Sequence, residues 1–112
     1  MSGEPALRDY YGEESFPLQS RDCQQSSLLV RYVKRTANNG VYSYAGEKDP
    51  YDDPVFLAYN FFSLQADRVV YNPKRQTVEA SGNVVVIKES GATEHGDSIT
   101  LKIDNGQAIP LP

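Results

Sequence analysis

The sequence predicts an all-β fold: antiparallel hairpins stacked into an open, folded-sheet sandwich with no substantial helix. Three observations carry this. Residues 66–87, ADRVVYNPKRQTVEASGNVVVI, hold two runs of period 2 around one turn. A similar strand, turn, strand unit returns about thirty residues later. No stretch of ten residues keeps a helical period.

In chain order, residues 1–25 come first. They are rich in Glu, Ser, Gln, Asp and Arg, with Gly3, Pro5, Gly12 and Pro17 scattered among them, so they read as a disordered or extended N-terminal arm. Tyr10, Tyr11, Phe16 and Leu18 are the side chains by which such an arm would dock on a sheet edge. Regular structure is expected from residue 26, in a single domain over residues 26–112. Residues 28–34 form a strand, Ala37-Asn38-Asn39-Gly40 the turn, since Asn-Gly is a strong hairpin signal, and residues 41–44 the return. Residues 47–54, EKDPYDDP, are a loop by composition. Residues 55–64 form an apolar, aromatic run that leads into the central hairpin.

In that hairpin, Asn72-Pro73-Lys74-Arg75 breaks the first run, because proline has a fixed φ and lacks the amide that a ladder needs. On the return strand, Val78, Ala80, Gly82, Val84 and Val86 share one parity and Thr77, Glu79, Ser81 and Asn83 the other, the mark of a half-buried sheet. Glycine inside a strand marks a bulge, and a bulge at Gly82 would turn Val85 and Ile87 inward in place of Val84 and Val86. The repeat then follows: Asp67-x-Val69-x-Tyr71 returns as Asp97-x-Ile99-x-Leu101, with Asp104-Asn105-Gly106 as its turn and Gln107-Ala108-Ile109 as its return. The expected inward set is Val69, Tyr71, Val78, Ala80, Val84, Val86, Ile99, Leu101 and Ile103.

The string AD-x-V-x-YNP-x-x-x-TVEASGNVVV, followed by Ser90-Gly91 and then GDSITLKI, resembles the OstA-like β-jellyroll repeat of the lipopolysaccharide-transport bridge proteins of the periplasm. The resemblance covers residues 64–103 well and residues 28–45 by pattern, and residues 45–62 depart from it as a long insertion. It implies an open β-jellyroll, a periplasmic or outer-membrane-associated location, and an apolar slot lined by the nine inward residues that holds acyl chains of lipopolysaccharide or another acylated lipid. It also implies same-fold partners joined head to tail by strand addition. A periplasmic protein begins with an export signal, and the chain is expected to be a piece of a longer protein or array.

Composition narrows the function classes. The net charge is −4, and five acids and two bases fall in residues 1–22, so the rest is close to neutral. No basic stripe is present, which argues against a nucleic-acid partner. One cysteine, Cys23, forms no disulfide within the chain. No apolar run approaches the length of a membrane-spanning helix.

Enzyme chemistry finds little support. Glu47, Asp49, Asp52 and Asp53 lie close together, but Pro54 stands where a calcium loop counted from Asp49 needs glycine, so a solvated acidic turn is the expectation. His95, beside Glu94 and Asp97, is the one histidine and lacks a nucleophile partner; it is expected in a polar loop before a strand. No cofactor or metal site is expected. The aromatics Tyr32, Tyr42, Tyr44, Tyr51, Phe56, Tyr59, Phe61 and Phe62 suit a pleated surface or a platform for a sugar or acyl ligand. Arg68, Lys74, Arg75, Lys88 and Lys102 sit at turns or outward faces, where they protect strand edges or contact an anionic head group. Three classes follow: a lipid carrier, a structural or protein-interaction scaffold of the same fold, and, remotely, a hydrolase. The insertion discriminates between the first two: packed into the slot it makes a scaffold, and lining an open mouth it admits a lipid.

Overall fold

The structure, a computed structural model, describes residues 12–19, 25–47, 53–60, 62–104 and 107–111. Among these residues it is all β: ten strands in one antiparallel sheet, with no helix. They are β1 (Gly12–Gln19), β2 (Gln25–Tyr32), β3 (Lys34–Asn38), β4 (Val41–Ala45), β5 (Val55–Tyr59), β6 (Phe62–Ala66), β7 (Arg68–Asn72), β8 (Thr77–Ile87), β9 (Thr93–Asp104) and β10 (Gln107–Pro110).

β8 is the pivot. One of its edges carries β7 against Thr77–Ser81 and then β6 against Val85–Ile87, while β9 runs along the other. Two branches leave this pivot, β6-β5-β2-β1 and β7-β4-β3, and β10 extends β9. The branches face each other. Phe16 of β1 lies with its ring centroid 5.2 Å from that of Tyr42 on β4 and 4.9 Å from that of Tyr71 on β7. The sheet is therefore folded on itself and nearly closed into a barrel-like shape, with side chains rather than backbone bonds joining β1 to the opposite branch.

Turn chemistry accounts for the hairpins. Asn39 and Gly40 take φ of 54° and 81° and join β3 to β4 in two residues, as the Asn-Gly pair predicts. In the β7–β8 turn, the backbone amides of Lys74 and Arg75 donate to Asn72 Oδ1 at 3.1 and 3.2 Å, an Asx-type closure. The β9–β10 pairing places Gln107 opposite Asp104. The structure refines the sequence reading in three places. Residues 28–34 are not the first arm of the Asn39-Gly40 hairpin: β2 ends at Tyr32 and pairs with β1 and β5, and β3, which takes in Ala37 and Asn38, is the arm that pairs with β4. Residues 55–64 are not one run but the hairpin β5–β6, with Asn60 at φ 55° in its turn. Part of the N-terminal arm, Gly12–Gln19, is the edge strand β1, paired along its length with β2; Phe16 and Leu18 pack on the core.

The fold line between the layers lies at Asp67 and Gly82. Gly82 and Asn83 both have positive φ, 83° and 50°, and the β8–β9 register shifts between Ser81 and Val84. The Asp67 amide donates to the Gly82 carbonyl at 2.8 Å, and Asn83 Nδ2 donates to Asp67 Oδ2 at 3.1 Å. The bulge is present, but it does not turn Val85 and Ile87 inward: Val84 and Val86 are buried. Ser81 stands opposite Arg68 and Val85 opposite Gln65, an even step on β8 against an odd one on its neighbour. The switch of parity therefore falls on the partner, where Leu64 and Ala66 are inward before Asp67 and Val69 and Tyr71 after it.

Candidate functional site

The candidate site is the space between the two branches. Eight of the nine residues expected to line it are buried: Val69, Tyr71, Val78, Ala80, Val84, Val86, Leu101 and Ile103. Ile99 is half-buried against them. They share one core with residues the sequence reading left out, namely Leu28, Val30, Tyr44, Val55, Leu57, Tyr59, Leu64 and Ala66. The described part of the insertion therefore contributes a strand and its side chains to the core: Val55, Leu57 and Tyr59 of β5 point inward and are at most 2% exposed. Their signal was hidden because Phe56 and Ala58 between them are also apolar, so the run shows no alternation.

Aromatic rings and one carboxylate close the β1 side. The Tyr44 hydroxyl donates to Glu14 Oε1 at 2.6 Å, and Arg35 Nε lies 2.6 Å from Glu14 Oε2. Tyr32 packs on Tyr44 with ring centroids 5.0 Å apart, and the Arg35 guanidinium lies 5.1 Å from the centre of the Tyr42 ring. Desolvation pushes the Tyr44 hydroxyl well above the ordinary tyrosine range, and the hydrogen bond and charge of Glu14 push it further. Tyr71 and Tyr32 are raised as well, burial being the largest cause for each. These phenols stay neutral at ordinary pH, and Tyr44 and Tyr71 are buried in the core.

The slot opens at its other end. On β9, Glu94 and Gly96 stand opposite Val86 and Val84, which are at most 5% exposed. A cavity of about 200 Å³ lies here, lined by Val84, Val86, Gly96, Ser98 and Ile99 with Glu94 and His95 at its rim. Lys88 Nζ reaches Glu94 Oε2 at 2.8 Å beside it. His95 lies in β9 rather than in a loop, exposed and opposite Val85. β10 covers β9 only from Leu101 to Asp104, so residues 93–98 lie on a stretch of β9 that β10 does not pair.

The remaining candidates do not converge. Among the described residues no group of His, Cys, Asp and Glu could hold a metal ion; Cys23, Asp49 and Asp52 lie outside those residues, as do Tyr10, Tyr11, Tyr51 and Phe61. Glu47 and Asp53 pair through their backbones and close the base of the acidic loop. Arg68, Lys74 and Arg75 are exposed, and Lys102 Nζ donates to the Arg75 carbonyl at 2.8 Å. No helix among the described residues is long and apolar enough to cross a membrane. Comparison of the chain with family models, with curated proteins and with solved structures finds no match.

Proposed function

We propose that this chain is a non-catalytic cell-envelope module, periplasmic or outer-membrane-associated, whose folded sheet acts as a structural and protein-interaction scaffold. The observation that carries the reading is the filled interior: the inward side chains of β5 and the Phe16 ring of β1 join the core between the branches. The motif likeness of residues 64–103 to the OstA-like repeat supports the envelope setting. Partner binding runs through strand edges, because an unpaired edge offers a row of amides and carbonyls to a same-fold neighbour. The uncovered stretch of β9 and strand β3, whose backbone pairs only with β4, are the two edges that suit head-to-tail addition. Light scattering over a concentration series, repeated with a proline at His95 to block pairing, tests this. Growth in mass that His95→Pro abolishes is the expected result, and a strict monomer with no binding to same-fold proteins would sink it.

A second reading, the carriage of acyl chains of lipopolysaccharide or another acylated lipid, is favoured by the open end at Val84, Val86 and Ile99. Each buried methylene contributes about 0.8 kcal/mol, so capture needs most of an acyl chain of about a dozen carbons, on the order of 10 kcal/mol, to offset the cost of association. Its cavity is smaller than the range of about 300–1,000 Å³ usual for small-molecule sites, which is why this reading stands second. Photo-crosslinking groups at Val86 and Ile99, compared with groups at the outward Glu79 and Lys102 in cells making lipopolysaccharide, separate the two. Labelling confined to the first pair would establish the carrier; equal or absent labelling would leave the scaffold.

A further inference from the structure

A second cleft, independent of the proposed function, lies at the margin of the outer face, where Tyr32 separates it from the core. Strand registers align one residue from each of five neighbouring strands there: Glu13 opposite Arg31, Arg31 opposite Phe56, Phe56 opposite Gln65, and Gln65 opposite Val85. Partners in register share a face and lie side by side, so the Phe56 ring is flanked by a guanidinium on one side and a carboxamide on the other. Tyr32, the bend at Val33 and the Asp53-Pro54 pair border the end of this row and, with Arg31, Phe56 and Gln65, line an open cavity of about 340 Å³. That volume falls within the range of about 300–1,000 Å³ usual for small-molecule sites.

We propose that this cleft is a saccharide-binding site. A sugar ring presents apolar C–H groups on its face and hydroxyls around its rim, so it needs an aromatic surface bordered by planar groups that donate and accept hydrogen bonds in the plane of the rim. Phe56, half-buried at the floor, supplies the surface, with the Pro54 ring beside it. Gln65 offers both a donor and an acceptor. Arg31 gives Nε to Glu13 at 3.0 Å, which fixes the guanidinium plane and leaves its terminal N–H groups for the ligand. Asp53 is held at the cleft by its backbone, whose N–H and C=O both pair with Glu47, and its carboxylate accepts from hydroxyls. A small anion would use Arg31 alone and ignore the ring. An apolar ligand would leave Arg31, Asp53 and Gln65 desolvated and unpaired, which is costly.

The test is a two-dimensional NMR titration of the full chain with cellobiose, N,N′-diacetylchitobiose and, separately, inorganic phosphate. At least one disaccharide should shift the amides of Arg31, Asp53, Phe56 and Gln65 saturably at about 1–10 mM. Phe56→Leu, which keeps an apolar side chain but removes the ring, and Gln65→Ala should each weaken binding about tenfold or more, with Lys102→Ala unchanged. Three results would each overturn the proposal: no shift with either disaccharide, shifts that Phe56→Leu leaves intact, or the same shifts produced by phosphate and lost only in Arg31→Ala.

Discussion

At the scale of single residues, the fold line depends on Gly82. Its φ of 83° disfavours any side chain, and a Cβ built there would stand 2.7 Å from Asp67 Oδ2. Gly82→Ala should therefore cost about 1–3 kcal/mol, read as a lower urea midpoint with an unchanged slope; an unchanged midpoint would mean that the bend does not need this residue. Tyr44 gives a pH prediction. Its folded pKa is raised, chiefly by desolvation, so the neutral phenol favours folding. That stability is fully present below the ordinary tyrosine value of about 10 and is lost as pH rises above it. Melting temperature should fall from about pH 10 upward, and less steeply in Tyr44→Phe, which cannot ionise. Equal slopes for the two proteins would assign the alkaline loss to other groups.

At the scale of elements, β1 is an edge strand. Its backbone pairs only with β2, and its inner face depends on Phe16 and Glu14. Removing Glu14 as Glu14→Ala leaves the buried Tyr44 hydroxyl without its acceptor, worth about 1–3 kcal/mol. The Arg35 ion pair adds little, because both its side chains reach water. Hydrogen exchange should show β1 amides opening well before those of β5 and β6, and faster again in Glu14→Ala; equal protection across the three strands would contradict this ranking. β5 and β6 behave oppositely. They sit between β2 and β8 in the sheet, so a segment that looks like an insertion in the chain is central in space.

At the scale of the whole molecule, one core runs through both branches, from Leu28 and Leu57 to Leu101 and Ile103. Unfolding should therefore be a single transition, with far- and near-ultraviolet circular dichroism curves that coincide. Leu57→Ala in β5 and Leu101→Ala in β9, both fully buried, should each lower stability by about 2–5 kcal/mol within that same transition. Two separate transitions, each moved by only one of these substitutions, would show that the branches fold as independent units.

The local chemistry of the chain was sufficient for the all-β class, the Asn39-Gly40 hairpin, the β7–β8 hairpin and the inward parity of Val69, Tyr71, Val78 and Leu101, because alternation and turn residues act between near neighbours. It was silent where the pattern is uniform or the partner distant. Residues 55–59 are apolar at every position, so only neighbours on both faces decide which side is core. Gly82 signalled a bulge, but which strand changes parity depends on Asp67 across the ladder. Glu14 and Arg35 are ordinary surface charges in the chain and meet only because the folded sheet brings β1 against β3. The filling of the slot, and the row of Arg31, Phe56 and Gln65 on its outer face, follow from strand order and register, which long-range pairing sets and local sequence does not encode.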